Sequence, residues 1–148
     1  MKIALGSDHG GYDLKEYLKK YLDEEGIEYG DVGTFSKDSC DYPDFGEKVA
    51  MKVSYWGYDY GLLVCTTGQG MAMTANKVGG IRAALCYKVD MAKMSRLHNN
   101  ANVIVFGAKY TRKGLAKKIL KTFLETEFEG GRHEKRVDKI KCIEDRVL

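Results

Sequence analysis

The segment Cys65-Thr66-Thr67-Gly68-Gln69-Gly70 places a thiol at the end of an apolar run and directly before a glycine-rich turn. Successive backbone N–H groups in such a turn can point into one pocket and bind an anion. The same field favours a thiolate over a thiol. A thiolate beside an oxyanion nest is what proton abstraction next to a carbonyl requires: the base takes the proton, and the nest stabilises the enediolate oxygen. The plainer reading is a strand-end cysteine followed by a helix cap, and local pattern leaves both open. Two nucleotide motifs are excluded. No Gly-Lys-Ser/Thr follows the turn, and Met73 stands where the third glycine of G-x-G-x-x-G belongs.

Three further groups carry chemistry. Asp8-His9-Gly10-Gly11 follows an apolar run, where a carboxylate and an imidazole can hold sugar hydroxyls or a phosphate; a helix cap by Asp8 is an equal reading. His98-Asn99-Asn100 ends a helical pattern, where His98 either complements the helix dipole or acts as an acid/base. Arg132 and Arg136 are four apart and share a helix face, suited to a phosphate or merely to solvent. His133 and Lys135 thicken that positive patch. The three histidines, His9, His98 and His133, all fall at loops or helix ends.

Alternating short elements must position these groups. Strands are expected at Lys2–Ser7, 27–32, Tyr60–Cys65, 81–85 and 103–106, each an apolar run of strand length. Tyr60–Cys65 reads as a central strand buried on both faces. Helices are expected between them: one with Leu14, Leu18 and Leu22 on its apolar stripe and Gly26 after its end, one through Phe45, Val49 and Val53, then 71–77, 89–97, and one through Leu115, Ile119 and Phe123. Thr34–Pro43 reads as a loop and Thr66–Gly70 as a turn. A last helix begins near Glu134, with Val137, Ile140 and Ile143 on its apolar face. The fold class is therefore α/β: a doubly wound, Rossmann-like parallel sheet of about five strands. Such folds bind ligands outside the carboxyl ends of the strands. The Glu129-Gly130-Gly131 break detaches the last helix, which either packs on its own domain or reaches a partner subunit.

Length and composition fit one domain over 1–148 that needs no disulfide or metal to fold. A net charge of +3 is too mild to argue for nucleic acid. The four cysteines form no C-x-x-C pair, and no His/Cys spacing resembles a zinc site. The opening residues lack a secretion-signal pattern, and no apolar run approaches the ~18 residues that span a bilayer. A cytoplasmic setting with free thiols is expected, with no membrane partner, no cofactor and no metal.

Taken together, the segments resemble ribose-5-phosphate isomerase of type B, a family that also includes galactose-6-phosphate isomerase subunits. The matching pieces are SDHGGY (Ser7–Tyr12), DYPDF (Asp41–Phe45), CTTGQGM (Cys65–Met71), ANKVGGIRA (Ala75–Ala83), SRLHNNANVIVFG (Ser95–Gly107) and EGGRHEKRV (Glu129–Val137), in the family's order and spacing. The resemblance implies that Cys65 moves a proton between two carbons of an open-chain sugar phosphate. It implies that the backbone of Thr66, Thr67, Gly68, Gln69 and Gly70, with the Thr67 hydroxyl, stabilises the enediolate. His98 would open the furanose ring, Asp8 and Asn99 would position sugar oxygens, and Tyr42 would lie beside the site. His9, Arg132 and Arg136 would bind phosphate. The family is typically dimeric, so a homodimer or dimer of dimers is expected, with His98, Asn99 and the arginines reaching the Cys65 loop of the other chain.

Two positions depart from the family pattern. Thr66 replaces the first glycine of the usual Cys-Gly-Thr-Gly, and Lys109 stands where an arginine often helps hold phosphate. Lys109 offers a point charge without a fork, and Arg112 is a nearby substitute. A hexose phosphate such as allose 6-phosphate or galactose 6-phosphate is the alternative substrate, although this chain carries Cys65, His98 and both arginines itself, as a self-sufficient pentose enzyme does. A nucleotide- or flavin-binding module is the more distant alternative, since it shares the architecture.

Overall fold

The apolar runs 3–7, 61–65 and 103–107 are buried along their whole length, which is how central parallel strands differ from one-sided ones. In a computed structural model describing residues 1–147, they lie at the centre of one parallel sheet. Its strands are β1 (Lys2–Ser7), β2 (Glu28–Asp31), β3 (Tyr60–Cys65), β4 (Ala83–Leu85) and β5 (Val103–Gly107). Their order is β2-β1-β3-β5-β4, and every pairing is parallel. The α-helices among the described residues are α1 (Tyr12–Glu24), α2 (Tyr42–Tyr55), α3 (Gln69–Ala75), α4 (Val89–Leu97), α5 (Lys113–Glu125) and α6 (Glu134–Val147).

Strand alternation sends Ile3, Leu5, Leu62, Val64, Ile104 and Phe106 to one face, against α1, α4 and α5. Ala4, Leu63, Cys65, Val103 and Val105 face the other way, against α2 and α3. The chain runs outward from β1 to β2 and then returns across β1 to β3. The direction of winding therefore reverses between β1 and β3, and a crevice opens at their carboxyl ends.

Three expected boundaries move, each for a local reason. The loop after β2 ends at Asp41 because Pro43 sits in the first turn of α2, where its missing N–H costs nothing. The turn after Cys65 is shorter than expected, since α3 begins at Gln69 with Gly68 as its left-handed cap at φ +82°. Strand β4 starts only at Ala83, because the Arg82 N–H donates to Asn102 Oδ1 (2.8 Å).

On α6, Val137 is buried, but Ile140 and Ile143 are 42% and 50% exposed. Glu144 Oε2 accepts from the Gly80 N–H at 3.0 Å, one tie between this helix and the sheet layer. Among the described residues no helix is long and apolar enough to cross a membrane.

Candidate active site

Cys65 is the last residue of β3, buried, with its sulfur facing the α2–α3 side. The backbone reverses over Thr66–Gly68, and the Gly68 N–H turns back to donate to Cys65 Sγ at 3.2 Å. That contact strengthens when the sulfur is an anion. The Thr67 hydroxyl accepts a long contact from the Gln69 N–H at 3.4 Å. The turn just after β5 braces it: the Ala108 N–H donates to the Cys65 carbonyl and the Lys109 N–H to the Thr66 carbonyl, both at 2.9 Å.

The end of β1 supplies the second wall. The Asp8 N–H donates to the Val64 carbonyl, and Asp8 Oδ1 accepts from the Gly11 N–H at 3.0 Å. The capping reading of Asp8 thus holds, and it leaves the second carboxylate oxygen for another task. His9 is exposed, and its Nδ1 accepts from the Cys40 N–H at 3.2 Å. A neutral His9 ring then carries its proton on Nε2, a donor for a ligand oxygen. Thr66 packs its hydroxyl over Gly10, in space that a side chain at position 10 would fill. Among the described non-glycine residues only Asn100 has a left-handed backbone, so Thr66 occupies its glycine-like position without strain. The Tyr42 ring lies over Gly70. Asp8, His9, Tyr42, Thr66–Gly70 and Lys109 therefore gather around Cys65 in one chain.

His98, Asn99, Arg132 and Arg136 do not join them. The His98–Asn102 segment leads into the amino end of β5, where Val103 pairs with Gly61, while Cys65 pairs with Gly107 at the opposite end. That is roughly 13 Å of strand. Arg82 and Arg96 hold this second cluster in place. Arg82 Nε donates to the carbonyls of Asn99 (3.2 Å) and Asn100 (3.0 Å), and Arg96 donates to Asn100 Oδ1 (2.9 Å) and the Ala101 carbonyl (2.6 Å).

His133 corrects an expectation. It is not part of a solvated basic patch: it is 8% exposed, and its ring stacks on His98 with centroids 4.1 Å apart. Arg132, Lys135 and Arg136 around it are exposed. One signal did mark it, since it precedes Val137 by one helical turn and so shares the inward face. Sequence spacing also concealed a candidate ligand set, because His98, Glu129 and His133 bring their ligand atoms within 4.8 Å of one another. Arg82, Arg96 and Cys40 were not singled out; most of their partners are main-chain atoms, which residue type does not announce.

The profile of the Ribose/Galactose Isomerase family matches residues 3–140. Ribose-5-phosphate isomerase B of Escherichia coli (strain K12) is 43% identical over 145 residues, covering 98% of this chain and 97% of that protein. The structure of ribose-5-phosphate isomerase B from Clostridium thermocellum superposes with a TM-score of 0.98 at 49% identity, covering both chains completely. The type B ribose 5-phosphate isomerase of Trypanosoma brucei gives a TM-score of 0.92 at 42% identity, over 96% of this chain and 97% of that one. With a thiol held at the crevice between β1 and β3 and a match along nearly its whole length, the chain belongs to the ribose/galactose isomerase family.

Proposed function

We propose that the protein interconverts ribose 5-phosphate and ribulose 5-phosphate, with Cys65 as the proton carrier. The observation that carries this reading is the Gly68 N–H aimed at the Cys65 sulfur in the crevice, in a chain similar from end to end to ribose-5-phosphate isomerases. As thiolate, Cys65 removes the proton from carbon 2 of the open-chain aldose. The carbonyl oxygen gains negative charge, which the N–H groups of the turn and the Thr67 hydroxyl stabilise. The thiol returns its proton to carbon 1, and the hydroxyl proton on carbon 2 passes to the oxygen on carbon 1, leaving the ketose.

Asp8 and Tyr42 border the sugar, the His9 Nε2–H is a donor for the phosphate, and Lys109 supplies positive charge at the same end of the sheet. His98 opens the furanose, Asn99 holds a sugar oxygen, and Arg132 and Arg136 bind the phosphate. All four lie at the far end of their own sheet, so each site takes them from a second chain. The exposed Ile140 and Ile143 on α6 support that assembly, because a helix with this apolar face gains most by being covered.

The test is a direct assay of ribulose 5-phosphate formed from ribose 5-phosphate, run beside allose 6-phosphate and beside the protein alkylated at its thiols. Turnover of the pentose that alkylation abolishes supports the reading. Faster turnover of the hexose would move the substrate class, and absence of turnover on both would leave a binding module.

A further inference from the structure

One side chain bridges the crevice between the β1 loop and the turn after β3. The backbone of Thr66 is held from the far side, where the Lys109 N–H donates to its carbonyl at 2.9 Å. Its side chain reaches the other way, and the hydroxyl stands where a Cβ on Gly10 would be. Asp8 Oδ1 lies 3.5 Å from that same point, so Thr66 fills the space beside the Asp8 carboxylate. Gly10 has no left-handed backbone; what keeps a side chain from position 10 is the space that Thr66 occupies. His9 directly precedes Gly10 in the chain. Thr66 therefore abuts, through Gly10 and through Lys109, both of the groups that the proposed function sets at the phosphate end of the crevice in this chain.

We propose that Thr66 determines which sugar length the site accepts: its side chain closes the phosphate end of the crevice and selects five-carbon over six-carbon sugar phosphates. This inference rests on the reading of Cys65 as the proton carrier and of His9 and Lys109 as phosphate-side groups. The proton moves between carbons 1 and 2, so those two atoms must sit beside the sulfur whatever the length of the sugar. Each further carbon then pushes the phosphate away from Cys65. A hexose 6-phosphate carries one more –CHOH– unit between the reacting carbons and the phosphate, and a threonine side chain has about that bulk. Bare backbone at position 66 would leave the space over Gly10 open, and the phosphate of the longer sugar could move into it. Threonine fills that space and has little freedom to leave it. Its side chain is branched at Cβ and therefore stiff. The wall it leans on is fixed as well: the Asp8 N–H donates to the Val64 carbonyl at 3.3 Å, and Asp8 Oδ1 accepts from the Gly11 N–H at 3.0 Å. A fit that changes by one carbon unit changes selectivity by about 10–200-fold.

The measurement is kcat/KM of the full chain on ribose 5-phosphate and on allose 6-phosphate, taken as a ratio so that losses common to both sugars cancel. Thr66→Gly should move the ratio towards the hexose by about tenfold or more. Thr66→Ala keeps a Cβ to order the turn; it should move the ratio the same way by less, and it stands in if the glycine variant does not fold. Thr66→Val keeps the shape without the hydroxyl and should keep the wild-type ratio. The decisive variant refills the corner from the opposite loop. Gly10→Ala added to Thr66→Gly puts a methyl where the hydroxyl stood, and the ratio should return most of the way to wild type. A turn merely loosened by glycine would not be restored by a methyl on another loop. An unmoved ratio in both Thr66→Gly and Thr66→Ala overturns the proposal. So does a double variant as tolerant of the hexose as Thr66→Gly, or a shift in Thr66→Val as large as in Thr66→Gly, which would assign selectivity to the hydroxyl. Failure of the underlying reading shows separately, in the unmutated chain: faster turnover of allose 6-phosphate, or none on either sugar, removes the pentose reading and this inference with it.

Discussion

The main-chain N–H of Gly68 donates to the sulfur of Cys65 across 3.2 Å, so the turn closes onto the thiol proposed as the proton carrier. Gly68 does this at φ +82°, with Gly107 N only 3.1 Å from where a methyl would stand. Gly68→Ala should therefore cost about 1–3 kcal/mol in stability and lower turnover by about 10²-fold. Cys65→Ser should keep the melting temperature and lose at least ~10²-fold in turnover, the low end for a missing general base. Thermal melts beside the isomerase assay separate the two effects, and near-normal turnover in the serine variant would sink the proton-carrier role.

Thr66 and Gly10 share one small volume. Gly10→Ala should destabilise the chain, and the loss should shrink when Thr66→Gly is added, because the added methyl then meets no hydroxyl. Urea unfolding of the double-mutant cycle should give a coupling of about 1 kcal/mol. Additive losses would mean that the two loops do not touch.

Lys15 is fully buried, and its Nζ donates to Asp31 Oδ1 at 2.9 Å and Oδ2 at 2.7 Å. Burial raises the affinity of Asp31 for a proton, but hydrogen bonds from Lys15, the Gly33 N–H and Lys19 outweigh it and hold the carboxyl below its ordinary range. The stabilisation is thus complete above the unfolded value of about 3.9 and disappears as pH falls through the lower folded value. Lys15→Met should cost about 3 kcal/mol at neutral pH and move acid unfolding to higher pH. Circular dichroism against pH checks this, and an unmoved acid midpoint would show that the pair carries no net stability.

Cys65 and Arg132 belong to opposite ends of one sheet. Mixing an inactive Cys65→Ser chain with an inactive Arg132→Ala/Arg136→Ala chain should restore activity, to roughly a quarter of wild type after random exchange, because half the dimers are mixed and each has one intact site. No recovery despite demonstrated exchange would assign the arginines to the site of their own chain.

Exhaustive chelation should leave turnover intact, since the proposed steps use only protons and hydrogen bonds. Activity lost to chelator and regained with a divalent ion would instead give His98, Glu129 and His133 a metal to hold.

The thiol and its strand were legible because the run YGLLVC admits few other readings at that length. The sheet order was not: alternation of strands and helices sets handedness, but nothing in the run AAL or VIVFG says that β5 inserts between β3 and β4. The start of α3 was missed because its cap is a left-handed glycine and not the serine, threonine or aspartate that usually marks a helix start. His133 was misread because its charged neighbours dominate the local composition, while burial is set by what lies one turn away.

The hydrogen bonds from Ala108 and Lys109 onto the carbonyls of Cys65 and Thr66 have a broader consequence. The shape of the turn after Cys65 is dictated by main-chain atoms just beyond a neighbouring strand, and the exposed Gln69 side chain is left free of that bracing. On the reading proposed above, drift at position 69 can retune which sugar fits without disturbing the backbone that stabilises charge. One scaffold can therefore diverge in substrate while its proton chemistry stays inherited.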